Sequence, residues 1–194
     1  EDVSWLKGEL AGVNGGESSI ETGGGYDQVT VNGSILTSFG PDGSDAGTVR
    51  ISLGGGDDLL TLSGGTYGGA VFDGGSGTDK LMYNLQDANA ANSVNDELQV
   101  FVESNTIMGF EEIVLDLANG SNDALDLDAL FDTLKGNADL TNGTTIVING
   151  DATGDSAVNY GTYGTGVTQG DYHTYTHTLD TGEQIQIMIH NSFF

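Results

Sequence analysis

The chain has 194 residues, and 29 Asp and Glu residues against four Lys and Arg residues give it a formal net charge of −25. So acidic a chain lacks the cationic groups that bind nucleic acid, which excludes nucleic acid as a partner, and it is repelled by anionic lipid. It contains no cysteine, which excludes disulfides and thiol catalysis. It also has no apolar run long enough to cross a bilayer, so we expect no membrane insertion.

The N-terminal segment carries the single tryptophan, Trp5, followed by Leu6, Leu10 and Val13. This spacing fits either a short helix or an irregular first coil that caps a repeat structure. After this segment, short apolar runs alternate with Gly-Asp turns. The strands predicted here are 28–31, 34–37, 48–53, 59–63, 70–72 and 80–83. Residues 40–45 are dense in turn formers and are predicted to form an inserted loop.

Three glycine-rich blocks lie in this region, and they share one pattern. Residues 74–82 read GGSGTDKLM and fit the nonapeptide G-G-x-G-x-D-x-U-x, where U is a large aliphatic residue, at every fixed position. Residues 53–61 have Leu53 at the first position instead, and residues 22–30 have Thr22 there. Glycine allows positive φ and close approach of two backbones, whereas aspartate offers a hard anionic oxygen.

These blocks resemble the repeats of RTX proteins, which are bacterial secreted proteins whose nonapeptides wind into a right-handed parallel β-roll around calcium. The resemblance implies an all-β chain, a right-handed parallel β-roll or β-solenoid with several calcium ions between its turns. Calcium takes about six to eight oxygen ligands, which is more than one loop offers, so each ion is expected to lie between neighbouring turns. The alternative is that the blocks are ordinary Gly-Asp turns of a β-sandwich.

The predicted calcium ligands fall into three groups. The side-chain ligands are the aspartates of the blocks, Asp27, Asp58 and Asp79. The carbonyl ligands come from glycines of the same blocks, Gly23, Gly25, Gly54, Gly56, Gly75 and Gly77. A second set of carboxylate ligands consists of Asp57, Asp73, Asp123 and Asp155. Bound calcium is expected to be part of the fold, because the acidic residues repel one another without it.

The chain changes character after the third block. Residues 86–91 are predicted to form a helical turn and residues 98–102 a strand. The segment 109–117, GFEEIVLDL, resembles the strand that follows RTX repeats in large bacterial surface proteins.

A short helix is predicted at about 128–135. Apolar residues recur there at helical spacing, at Leu127, Leu130, Phe131 and Leu134. Asp128 is the predicted N-cap of this helix, and Gly136 is the predicted end.

Two alternating segments, 173–178 and 184–189, flank the turn residues 180–182 and predict a C-terminal β-hairpin. We therefore expect two regions. Residues 1–85 form the calcium-binding β-roll with an irregular N-terminal cap. Residues 86–194 continue it as a solenoid-like region that is capped by the helix and the hairpin.

No motif of a familiar enzyme is present, since the chain has neither H-E-x-x-H nor G-x-S-x-G. His173 and His177 are predicted to be exposed on one strand, about 13 Å apart, which is too far for one metal ion. Paired carboxylates such as Asp57 and Asp58 occur in glycosidases, but in glycine-rich turns they favour calcium binding or turn formation. We expect no enzymatic activity.

The expected function is a non-catalytic, calcium-dependent structural or adhesion module of a large bacterial surface protein, of which this chain is a part. The RTX resemblance implies export by a type I system and folding on extracellular calcium, outside the cell or at its surface. One alternative is the C-terminal accessory region of a secreted RTX hydrolase or polysaccharide epimerase. Another is a ligand-binding domain at the tip of an adhesin. In that case, tyrosines such as Tyr67, Tyr163 and Tyr175 would line a surface for a glycan or a protein.

Overall fold

The computed structural model describes residues 2–7, 10–13, 17–38, 47–63, 67–84, 101–102, 104–117, 124–137, 139–151, 155–158, 163 and 166–194. Most of the described chain is β-strand, which confirms the all-β prediction at this level. The chain divides into two compact units. The first unit contains residues 1–82 and 104–111, and the second contains residues 83–103 and 112–194.

Short strands make up the first part of the chain. They are β1 (Asp2–Lys7), β2 (Leu10–Val13), β3 (Glu17–Glu21), β4 (Asp27–Asn32), β5 (Ile35–Ser38), β6 (Thr48–Ser52), β7 (Gly55–Gly56), β8 (Leu59–Ser63), β9 (Tyr67–Gly68), β10 (Ala70–Asp73), β11 (Ser76–Gly77), β12 (Lys80–Asn84) and β13 (Thr106–Met108). They assemble in the orders β1-β4-β8-β12, β3-β6-β10-β13, β2-β5-β9 and β7-β11. Strands that are neighbours in space are therefore distant in sequence.

The register between these strands repeats from sheet to sheet. β1 and β4 pair in parallel with Asp2 opposite Asp27, and β2 and β5 pair with the same offset in sequence. The β4–β8 and β3–β6 pairs share a second and longer offset, with Gln28 opposite Leu59 in the first of them. The β6–β10 and β7–β11 pairs share a third offset, which is the shortest. Equal offsets in separate sheets keep the glycine-rich blocks aligned with one another.

Alternating burial along the strands builds the core of the first unit. β4, β8 and β6 each alternate between buried and half-buried or exposed positions, as a strand with one apolar face does. The inward side chains include Val29, Leu60, Leu62 and Phe72, all at most 1% exposed. Full burial of such a side chain stabilises the fold by roughly 1.5–3 kcal/mol.

The second unit has both parallel and antiparallel pairs. Its strands are β14 (Glu112–Asp116), β15 (Ala124–Asp126), β16 (Thr145–Asn149), β17 (Ser156–Val158), β18 (Val167–Gln169), β19 (Tyr172–Thr178) and β20 (Gln184–His190), with helix α1 at Leu127–Lys135 and a 3-10 turn at Asn191–Phe193. β14 and β16 pair in parallel, as do β16 and β20 and also β15 and β17. The β18–β19 and β19–β20 pairs are antiparallel.

Several local predictions are confirmed. The strands predicted from 28 to 83 all lie within two residues of β4, β5, β6, β8, β10 and β12. The hairpin is formed by β19 and β20, and Ile185, Ile187 and Ile189 are buried on one of its faces. Helix α1 buries the four apolar residues that predicted it and ends before Gly136.

Other predictions are wrong. Of the two structures considered for the first segment, the short helix is excluded, because this segment forms strands β1 to β3. Phe101 and Val102 are helical where a strand was predicted, because so short an apolar run fits either structure. The N-cap of α1 is Asp126, which has extended φ and ψ and accepts a hydrogen bond from Ala129 N at 3.1 Å, whereas Asp128 already lies inside the helix. The predictions for 40–45, 86–91 and Asp123 fall outside the described residues.

Candidate metal site

The three glycine-rich blocks share one backbone conformation. In each block the second and fourth residues are glycines with positive φ, between 95° and 138°, a range that L-residues with a side chain rarely adopt. They are Gly23, Gly25, Gly54, Gly56, Gly75 and Gly77. The predicted carbonyl ligands are therefore equivalent positions of three aligned loops.

Equivalent glycines of neighbouring blocks lie directly against one another. A Cβ atom added to Gly56 would lie 1.8 Å from the carbonyl oxygen of Gly25, and one added to Gly77 would lie 1.7 Å from that of Gly56. The obstacle is backbone, which cannot move aside as a side chain does. Both the positive φ and the lack of space for a Cβ atom therefore require glycine at these positions. The same distances show that carbonyl oxygens of one block face the next block.

Some of these carbonyls already accept hydrogen bonds. Gly55 N donates to the carbonyl of Gly23 at 2.8 Å, and Ser76 N donates to that of Gly54 at 2.9 Å. A carbonyl oxygen has two lone pairs, so one remains for a metal ion.

The aspartates of the blocks form a buried column. Asp27, Asp58 and Asp79 are only 2%, 2% and 1% exposed. Asp58 Oδ1 accepts a hydrogen bond from Asp27 N at 2.8 Å, and Asp79 Oδ1 accepts one from Asp58 N at 2.9 Å. The carboxylates of Asp58 and Asp79 are thus each held by the backbone of the preceding block, and we call this series the aspartate column.

The second carboxylate oxygens of this column are not satisfied in the same way. Oδ2 of Asp58 and Oδ2 of Asp79 are buried and have no hydrogen-bond partner among the described residues. Burial raises the pKa of Asp79 to about 6; the hydrogen bond from the Asp58 backbone opposes this rise, and the nearby carboxylates of Asp58, Glu111 and Asp57 add to it. The column therefore concentrates negative charge and open oxygen atoms in one place.

A hard cation fits this donor set. Carboxylate and carbonyl oxygens are what calcium prefers, and its flexible shell accepts carbonyls more readily than that of magnesium. Within the described ranges, no three His, Asp or Glu side chains converge as a group that could hold a metal ion. A calcium ion here would therefore take much of its shell from the glycine carbonyls.

Three residues of the second set of predicted ligands, Asp57, Asp73 and Asp155, make contacts outside the column. Asp57 is exposed, and its Oδ1 accepts a hydrogen bond from Thr78 N at 3.0 Å on the outside of the blocks. Asp73 forms an ion pair with Arg50. Asp155, in the second unit, accepts hydrogen bonds from Asp151 N at 2.8 Å and from Ser192 Oγ at 3.2 Å. None of these three belongs to the aspartate column.

Sequence reasoning missed two acidic residues at the ends of the column. Asp2 is in Cα register with Asp27, but Ser4 follows it where the repeat requires an aliphatic residue, so the pattern does not reveal it. Glu111 accepts a hydrogen bond from Asp79 N through Oε2 at 2.7 Å. Its only sequence signal was its place in the segment that follows the repeats.

Two of the second-unit residues considered for surface roles, His177 and Tyr175, are buried. The prediction that His177 is exposed is wrong. Its side chain is buried, with only 5% exposed, because its ring stacks on Phe131 at a centroid distance of 5.2 Å. Burial lowers the pKa of His177, although a hydrogen bond with the Phe131 backbone works in the opposite direction. Tyr175 is 6% exposed and contacts the same phenylalanine. In the first unit Tyr67 is 2% exposed, so neither tyrosine lines a binding surface.

Comparison of the chain with protein-family models, with curated proteins and with solved structures gives no match. In the part of the chain that the structure describes, no helix is both long and apolar enough to span a membrane.

Proposed function

We propose that this chain is a non-catalytic, calcium-dependent module of the RTX type from a secreted bacterial protein. Its glycine-aspartate blocks would be turns of a right-handed parallel β-roll, with calcium ions bound between them. The observation that carries the proposal is the aspartate column, in which Asp58 and Asp79 are buried with one unpartnered oxygen each. A buried carboxylate without a counter-charge is costly, and a bound cation removes that cost.

The residues that would hold calcium are those of the column and its loops. Asp27, Asp58 and Asp79 supply charged oxygens, and the six positive-φ glycines supply carbonyl oxygens. Calcium would neutralise carboxylates that lie in successive blocks. It would also join loops whose aspartates are far apart in sequence, since 31 residues separate Asp27 from Asp58 and 21 residues separate Asp58 from Asp79.

This arrangement couples calcium binding to folding. The chain carries a formal charge of −25, so the acidic residues resist compaction when no divalent cation is bound. Because the aligned loops exist only in the folded chain, the free energy of calcium binding stabilises the fold. A chain of this kind stays unfolded at the low calcium level of a cytosol and folds after export, here through a type I system.

The role that follows is structural. A module stiffened by calcium outside the cell suits a large surface protein that spaces or presents adhesive domains. In such a protein, the described blocks would act as a spacer.

A calcium titration followed by circular dichroism tests the proposal, with magnesium as the control cation. We expect a cooperative gain of β signal with calcium and little gain with magnesium at the same concentration. Equal β signal in calcium and in excess chelator would overturn the proposal, because the blocks would then be ordinary turns.

A further inference from the structure

The aspartate column has a direction. Each carboxylate bonds to the backbone N–H of the column residue one block earlier, from Asp79 to Asp58 and from Asp58 to Asp27. Each of these two blocks therefore supplies an acceptor for the block before it. The N–H of Asp79, in the last block, needs an acceptor that comes from residues after the blocks.

Glu111 supplies that acceptor. Its Oε2 accepts a hydrogen bond from Asp79 N at 2.7 Å, which repeats the bonds at 2.9 Å and 2.8 Å in the earlier blocks. The backbones also pair here, since Glu111 N donates to the carbonyl of Asp79 at 3.1 Å. Glu111 is exposed, unlike the three aspartates, but it thus occupies the position of a fourth member at the end of the column.

The chain takes a shorter path over the last block than within it. Met108 is in register with Asp73. Only two residues, Gly109 and Phe110, separate Met108 from Glu111, whereas five residues separate Asp73 from Asp79. Gly109 lies against the backbone of Gly75, because a Cβ on it would be 2.7 Å from Gly75 N. This short turn has no room for a Gly-x-Gly loop, and a glutamate side chain is longer than an aspartate by one methylene.

We infer that Glu111 is a calcium ligand and closes the series of calcium sites on the last glycine-rich block. The inference rests on the proposed function. The ion would be shared with carbonyl oxygens of the 74–82 block. A second observation points to a cation at the last block: Asp79, whose N–H bonds to Glu111, is 1% exposed and keeps an unpartnered Oδ2. Glu111 replaces both the loop and the aspartate of a further block.

The test compares Glu111→Gln with Glu112→Gln by calorimetric calcium titration, with circular dichroism as a check on folding. Glutamine keeps an oxygen that accepts the Asp79 N–H but removes the charge, and Glu112→Gln makes the same change in charge one residue later. We expect Glu111→Gln to lose one calcium ion per chain, or to bind its weakest ion at least about tenfold less tightly. Glu112→Gln should keep the stoichiometry and affinities of the wild type.

Unchanged stoichiometry and affinities in Glu111→Gln would overturn the inference while leaving the proposed function intact. A wild-type chain that binds no calcium would overturn both. If Glu111→Gln does not fold, the carboxyl ¹³C NMR signal of Glu111 in the wild-type chain tests the inference instead. Movement of that signal after the circular dichroism signal has become constant supports the inference, and a signal that stays in place from that point to saturation overturns it.

Discussion

Asp79 Oδ1 accepts a hydrogen bond from the backbone N–H of Asp58 at 2.9 Å, across 21 residues of sequence. The same bond joins Asp58 to Asp27 at 2.8 Å across 31 residues. One oxygen of each carboxylate thus fixes the alignment of two blocks. Oδ2 of Asp58 and Oδ2 of Asp79 are buried and have no hydrogen-bond partner among the described residues.

The first prediction concerns the charge of the column. Asp79→Asn keeps an oxygen that accepts the Asp58 N–H but removes one negative ligand. We expect the calcium concentration at the folding midpoint to rise about 10- to 100-fold, which corresponds to about 1.4–2.8 kcal/mol. The midpoint is measured by circular dichroism along a calcium titration. Asp171→Asn is the control, because Asp171 is exposed and the charge change is the same. Equal midpoints for the two variants would contradict the assignment of Asp79.

The second prediction concerns the contact between blocks. Gly56→Ala places a Cβ 1.8 Å from the carbonyl oxygen of Gly25 at a φ of 138°, so we expect a loss of about 3 kcal/mol or more in the free energy of unfolding. Gly24→Ala serves as its control, since a Cβ there meets only the carbonyl oxygen of Gly55 at 3.7 Å. That variant should change the free energy by no more than about 0.5 kcal/mol. Urea denaturation in saturating calcium measures both, and similar losses would show that the blocks do not stack as described.

The third prediction is a pH dependence of calcium affinity. Without calcium, burial raises the pKa of Asp79 from 3.8 to about 6, so the folded chain binds this proton more tightly than the unfolded chain does. The contribution of Asp79 to apo stability therefore falls as pH rises from about 4 to about 6. Calcium must displace the proton, so calcium affinity should rise through the same range and level off above it.

Calcium titrations at about pH 5 and about pH 7 measure this dependence in the wild type and in Asp79→Asn. The variant should show a smaller change, because its amide does not titrate. An equal change in both proteins would assign the dependence to other carboxylates.

The fourth prediction concerns His177, whose pKa is lowered from 6.5 by burial. The folded chain favours the neutral ring, so the stability that His177 contributes is complete above about pH 6.5 and is lost as pH falls below it. His177→Phe keeps the stacking on Phe131 and removes both the proton and the unpartnered Nε2. We expect this variant to lose less stability than the wild type between about pH 6.5 and about pH 5.

His173→Phe is the matched control, since His173 is only half-buried on the same strand and stacks on Phe194. Thermal unfolding at both pH values compares the three proteins. If His177→Phe loses as much stability between the two pH values as the wild type does, His177 does not set the pH dependence of stability.

The sequence by itself determined the local features of this protein. The spacing of glycine and aspartate fixed where the blocks lie, because positive φ at Gly56 or Gly77 is a property of that residue and its neighbours. Helical spacing placed α1, and alternation placed the β19–β20 hairpin, because both depend on residues close in sequence. Burial of Asp58 and Asp79 agrees with the motif, which marked both as candidate ligands.

Only the tertiary structure decided which residues lie together. Asp27 and Asp58 are 31 residues apart, whereas Asp58 and Asp79 are 21 residues apart, so no constant spacing identifies stacked partners. Asp2 and Glu111 align with the column without a complete motif, and His177 is buried through packing on Phe131, which is distant in sequence. These relationships depend on the number of residues between blocks and on the path of those residues in the fold. The local pattern of a block encodes neither of them.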